Sequence, residues 1–132
     1  MRLSDTRVAQ PALAAVEAGL LDLTARFGLR PDRLAGHSCG EYAALHAGGA
    51  LSRAAFYDLV AVRGAVMAEA CRATSGAMAA IAASAEEVQQ HLVQFGSIVI
   101  ANRNAPNQTV VAGPREALAA LCQELEVKWV PV

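Results

Sequence analysis

The chain is 132 residues long, 55% apolar and 5% aromatic, and its 11 basic and 12 acidic side chains leave a formal charge of −1. A chain of that size and content buries a core of its own. The balanced charge argues against a basic nucleic-acid surface or an acidic solvating arm, and no apolar run approaches the roughly 20 residues that a membrane span needs. Met1 to Thr6 is polar and lacks the apolar centre of a signal peptide. Cys39, Cys71 and Cys122 form neither a CxxC pair nor a zinc pattern. Reduced thiols in a soluble cytoplasmic protein are therefore expected, with no bound metal.

The predicted elements run as follows. From Ala9 to Phe27 the apolar residues Leu13, Val16, Leu20, Leu23 and Phe27 recur at steps of three and four. That period predicts a helix with one apolar face, and Gly28 ends it. Arg33 to Gly36 reads as the end of a short buried strand. A sharp turn follows, Gly36-His37-Ser38-Cys39-Gly40, and then a helix from Glu41 to Ala47, broken by Gly48 and Gly49. Ser52 suits an N-cap for a helix to about Cys71, with Leu59, Val62, Val66 and Met67 as its apolar side. Arg63 on that helix is either a solvated edge or a charge brought into a cleft.

Beyond Cys71 the rhythm changes. Strands are predicted at Ala77–Ala82, Ser97–Asn102, Asn107–Ala112 and Val127–Val132, with helices at Glu86–Val93 and Pro114–Leu125. Asn104 to Asn107 reads as the turn between the middle strands. The order β-α-β-β-α-β is the ferredoxin-like pattern. The boundary between the two parts is placed near residues 73–76, giving parts at 1–73 and 74–132.

Gly36-x-Ser38-x-Gly40 between a strand and a helix is the pattern of a nucleophile elbow. A serine on so tight a turn needs small residues two positions away on either side. The turn lifts the Ser38 Oγ to the helix N-terminus, where the Cys39 N–H points at a forming oxyanion and the helix dipole favours negative charge. The alternative is a tight turn with a structural serine.

The longer string Ala35-Gly36-His37-Ser38-Cys39-Gly40-Glu41-Tyr42-Ala43-Ala44-Leu45, with Ala47-Gly48 and Ala50-Leu51-Ser52, resembles the malonyl-CoA:acyl-carrier-protein transacylase family. That family includes the acyltransferase domains of fatty acid and polyketide synthases. Thr6 to Leu13 resembles its segment ahead of the elbow, and Arg63-Gly64 with Met67 its Arg-Gly-x-x-Met stretch. Gly76 to Ile81 and Ile100 to Gly113 resemble its small subdomain. The resemblance implies an α/β fold, a hydrolase-like α/β portion with the elbow plus a ferredoxin-like βαββαβ subdomain. It implies Ser38 as the nucleophile, the Cys39 N–H as an oxyanion donor, and Arg63 as the partner of the free carboxylate of malonyl or methylmalonyl. A guanidinium fork matches a carboxylate. Gln10 resembles a pocket-lining residue. His37 is expected to be a hydrogen-bonding neighbour of the site rather than the base, and His46 and His91 to be surface histidines.

The implied reaction takes an acyl group from malonyl-CoA, or a related dicarboxylic acyl-CoA, to the phosphopantetheine thiol of an acyl carrier protein, with no bound cofactor. The partners expected are the carrier, the acyl-CoA and the remainder of the acyltransferase or synthase, without nucleic acid or membrane. The family's Gly-Gln-Gly loop and its catalytic His have no counterpart in these residues, so a fragment of a larger enzyme is expected. Two other readings are a serine esterase or thioesterase and an inactive truncated interaction module. The wording around Asp5 to Pro11 leans towards a polyketide synthase.

Overall fold

The computed structural model describes Leu3, residues 5–125 and Val130–Pro131. Among them lie helices α1 (Thr6–Arg26), α2 (Gly40–Ala47), α3 (Arg53–Thr74), α4 (Ala85–Leu92) and α5 (Arg115–Glu124). The strands are β1 (Gly76–Ile81), β2 (Val99–Ala105), β3 (Gln108–Pro114) and β4 (Val130–Pro131). The chain divides into two compact units, Met1–Glu69 and Ala70–Val132. The division falls inside α3, a few residues before the composition shift suggests, because the helix runs unbroken across it. No described helix is long and apolar enough to cross a membrane.

The first unit is helical. Asp5 caps α1 by accepting from the Arg7 N–H at 3.0 Å. The helix ends at Phe27, and Gly28 follows at φ 77°, where a glycine carries no side-chain penalty. Gln10, Ala14 and Ala18, spaced by four, form the buried face of α1. Ala14 and Ala18 pack on Phe56 and Val60 of α3, with Cys39, Tyr42, Ala43, Leu51 and Tyr57 at the edge of that cluster. Small residues on α1 let the helices approach closely. Gly64 serves the same end, since a Cβ there would stand 2.7 Å from the Thr6 carbonyl oxygen.

One expectation is corrected in this unit. The predicted apolar face of α1 is present but lies outside the described core: Leu13, Val16, Leu20, Leu23 and Phe27 are exposed, Val16 by 59% and Phe27 by 76%. Leu59, Val62 and Val66 of α3 are exposed as well. Periodicity located an apolar face, but the described core is built on the small-residue face beside it. Arg33 to Gly36 is not a strand. A strand requires a ladder partner, and the described sheet lies wholly within the second unit.

The second unit has the order β1-α4-β2-β3-α5-β4. Its four strands form one sheet, β2-β3-β1-β4, with every neighbouring pair antiparallel. Ile81, Val88, Leu92, Ile98, Val111, Leu118 and Leu121 make its core. Ser84 caps α4 by accepting from the Glu87 N–H. The buried Thr109 hydroxyl donates to the Ala83 carbonyl at 3.0 Å. β2 starts and ends later than its composition suggests and takes in Asn104 and Ala105, so the hairpin turn contracts to Pro106-Asn107. Helix α3 extends to Thr74, where Ser75 at φ 50° stops it. Of the last predicted strand only Val130–Pro131 is described; its other residues lie outside the described set.

Candidate active site

The local geometry of the elbow is set by Gly36. A Cβ at that position would lie 2.2 Å from the Gly40 carbonyl oxygen and 2.5 Å from the Glu41 nitrogen. Both are backbone atoms and cannot swing aside. At Gly40 an added Cβ would meet only Glu17 Oε1, at 3.7 Å. The two glycines of the motif are thus not equivalent: Gly36 is required by contact, whereas Gly40 lends the backbone that contact involves.

Between them Ser38 adopts φ 55°, a left-handed conformation that costs a non-glycine residue about 1–2 kcal/mol. The turn is closed by the Gly40 N–H donating to the His37 carbonyl at 3.0 Å. Then the Glu41 N–H bonds the Ser38 carbonyl and the Tyr42 N–H that of Cys39, starting α2. Among the described residues no acceptor takes the Cys39 N–H.

Side chains from α1 and α2 gather round Arg63, which reaches Ser38. Arg63 of α3 donates through one terminal nitrogen to Ser38 Oγ at 3.1 Å and through the other to Gln10 Oε1 at 2.7 Å. The Gln10 amide nitrogen donates to Thr6 Oγ1, and to Met67 Sδ at 3.4 Å. The Arg63 guanidinium lies 6.0 Å from the centre of the Tyr42 ring, at the limit of a cation–π contact. All these residues belong to the first unit.

Ser38, Arg63 and Gln10 therefore come together as a connected polar cluster. Cys39 is adjacent but turned differently, its side chain packing at the edge of the apolar cluster. Burial pushes the Cys39 thiol up, Arg63 draws it down, and Glu17 raises it again. A thiol held above its ordinary range carries little thiolate at neutral pH. His37 is not brought into the cluster. Its side chain is exposed and makes no hydrogen bond among the described residues, because the turn that lifts Ser38 sends its neighbour the other way. His46 is half-buried rather than on the surface: Nδ1 shares a hydrogen bond with the Leu51 carbonyl at 2.9 Å, and the ring stacks on Phe56. His91 pairs with Glu124 in the second unit at 2.7 Å. No described histidine bonds Ser38. Among the described residues no cluster of histidine, cysteine and carboxylate is placed to hold a metal.

Sequence reasoning missed Thr6 and Tyr42. The available signal was the spacing of four from Thr6 to Gln10 on α1, which puts that pair on one helical face.

Comparison with known proteins places this geometry in context. The acyl transferase domain family matches residues 1–130. Mycoketide-CoA synthase of Mycobacterium tuberculosis is 43% identical over 123 residues, which is 93% of this chain and 3% of that protein. Malonyl CoA-acyl carrier protein transacylase of Synechocystis is 38% identical over 127 residues, 96% of this chain and 42% of that protein. The acyltransferase domain from the second module of the salinomycin polyketide synthase superposes with a TM-score of 0.84 at 37% identity, covering 98% of this chain and 31% of its own. The chain spans less than half the length of each of these relatives.

Proposed function

The chain belongs to the acyl transferase domain family, and on that premise we propose that it carries the nucleophile and the acyl-selecting arginine of a malonyl-type acyltransferase. The donor is malonyl-CoA or a related dicarboxylic acyl-CoA. The acceptor is the phosphopantetheine thiol of an acyl carrier protein, as the printed name of the Synechocystis relative suggests. The observation that carries this reading is the Arg63 guanidinium 3.1 Å from Ser38 Oγ. A pocket for a neutral ester gains nothing from a fixed cation beside its nucleophile. In a malonyl thioester the carboxylate and the reacting carbonyl are separated by a single methylene, so a cation next to the serine suits both ends of that group at once.

The steps follow from the geometry. Ser38 Oγ, losing its proton to a general base, attacks the thioester carbonyl. The Cys39 N–H, unclaimed by the described residues and at the head of α2, stabilises the oxyanion. The carbon–sulfur bond breaks, coenzyme A leaves as a thiol by taking that proton back from the base, and an acyl-serine remains. The carrier's thiol then attacks the acyl-serine and restores Ser38. Because no described histidine bonds Ser38, the base is assigned to further polypeptide of the same enzyme, together with the second oxyanion donor.

The all-antiparallel order β2-β3-β1-β4 supports reading Gly76–Pro131 as a ferredoxin-like subdomain. The elbow and its helices support reading the first unit as part of a hydrolase-like α/β core. The exposed stripe of Leu13, Val16, Leu20, Leu23 and Phe27 agrees with such a core extending beyond these residues.

Substitution of Arg63 tests the donor class. In the whole acyltransferase, Arg63→Ala is expected to lower the ratio of malonyl to acetyl loading about a hundredfold, the loss of a charge-assisted carboxylate contact. Competition between the two labelled acyl-CoAs reads that ratio. An unchanged ratio removes the carboxylate role from Arg63.

A further inference from the structure

Gln10 is only 6% exposed, so water cannot set which way its amide points. The two ends of that amide are not interchangeable. Only Oε1 accepts from a guanidinium; rotation by half a turn would set N–H against N–H. The orientation is therefore held at both ends, by Arg63 at Oε1 and by whatever accepts from Nε2. Two acceptors are in reach: Thr6 Oγ1 and, at 3.4 Å, Met67 Sδ. A thioether is a weak acceptor, so the hydroxyl oxygen dominates.

Thr6 is itself well fixed. It is the first residue of α1, one turn before Gln10 on the same face. Its carbonyl oxygen lies against Gly64, where a Cβ would come within 2.7 Å of it. Gly64 immediately follows Arg63. The chain of contacts thus closes on itself, from Thr6 to Gln10 to Arg63 and back through Gly64 to Thr6.

From this closed loop we propose that Thr6 is a positioning residue for acyl-group selection, holding the Gln10 amide so that Gln10 in turn holds Arg63. The inference rests on the acyltransferase reading above. Thr6 touches neither Ser38 nor the acyl group. Gln10 occupies one terminal nitrogen of the guanidinium, which leaves the other directed at Ser38, on the side where an acyl carboxylate must arrive. Without the Thr6 oxygen the Gln10 amide keeps only the weak Met67 acceptor at Nε2, and the anchor it gives Arg63 loosens. The selection of dicarboxylic over simple acyl groups then weakens.

The test compares Thr6→Val, which keeps the shape and removes the acceptor, with Thr6→Ser, which retains it. In the whole acyltransferase, Thr6→Val should lower the malonyl-to-acetyl ratio of Ser38 acylation about tenfold, as loss of one buried hydrogen bond in the network predicts. Thr6→Ser should stay within about twofold of wild type on the same scale. A merely structural role would lower both acylations alike and leave the ratio unmoved, and that result overturns the proposal, as does an equal fall in both variants. Failure of the wild type to take up either acyl group would instead overturn the acyltransferase reading. The Thr6 link is then judged from the Gln10 side-chain amide signals in NMR. They should shift and exchange faster with water in Thr6→Val but not in Thr6→Ser, and unchanged signals in Thr6→Val contradict the link.

Discussion

In the whole acyltransferase of the proposed function, Ser38→Ala is expected to abolish acyl uptake from malonyl-CoA, with transfer to the carrier slowed on the order of a million-fold, the scale seen when a serine nucleophile is removed. Steady-state transfer of labelled malonyl checks it. The neighbouring Cys39 is expected to offer no rescue, because its side chain packs at the edge of the apolar cluster rather than beside Arg63 and Gln10. The same position carries a stability signature. Ser38 sits at φ 55°, where alanine bears the penalty that glycine escapes. Ser38→Gly should therefore be more stable than Ser38→Ala by about 1 kcal/mol, though equally inactive. A variant pair of equal stability would show that the left-handed turn relaxes once the hydroxyl is gone.

Gly36→Ala is expected to destabilise the first unit by about 3 kcal/mol or more and to remove activity with it. The added methyl would stand 2.2 Å from the Gly40 carbonyl oxygen, so the start of α2 has to move. That movement displaces Ser38 and the Cys39 N–H together. Gly40→Ala is the control, since its methyl would meet a carboxylate oxygen at 3.7 Å, an ordinary contact. Its effect on stability should stay within about 1 kcal/mol. Denaturant unfolding midpoints and acyl uptake measured on both variants decide the matter. Equal tolerance of the two substitutions would contradict the described elbow.

What the sequence disclosed divides along physical lines. Local signals were legible. Gly28 ended α1, Ser52 capped α3 by accepting from the Ala55 N–H at 3.1 Å, and Pro114 opened α5. Each depends on residues within a turn or two of one another. The element order β-α-β-β-α-β of the second unit was legible too, because β-branched runs, two apolar-faced helical stretches and a tight turn are local signals. The tight turn at Ser38 was legible from the glycine spacing and the helix that follows it.

Arg63 was not legible in that way. Its position on α3 was equally consistent with a solvated face, and its role came from the family resemblance. The fold then brought it to Ser38 and Gln10, residues 25 and 53 positions away. The α1 stripe was legible as an apolar face and no further. A period of three and four identifies an apolar face but not what covers it, and here Gln10, Ala14 and Ala18 carry the described packing. Arg33 to Gly36 failed because strand formation depends on a partner that local composition does not supply. Thr6 was invisible because a hydroxyl and an amide four residues apart are commonplace. Only the burial of Gln10 makes the pairing consequential.

The most direct test of acyl transfer through Ser38 is an intact-mass pulse and chase on the whole acyltransferase. Wild-type enzyme pulsed with malonyl-CoA should gain one malonyl group, located on Ser38. The adduct should discharge to the phosphopantetheine thiol of an acyl carrier protein at least about tenfold faster than to water, as a ping-pong transferase requires. An adduct lost to water at the same rate with or without the carrier would make the enzyme a hydrolase. An adduct that persists in Ser38→Ala would place the nucleophile elsewhere and contradict the account.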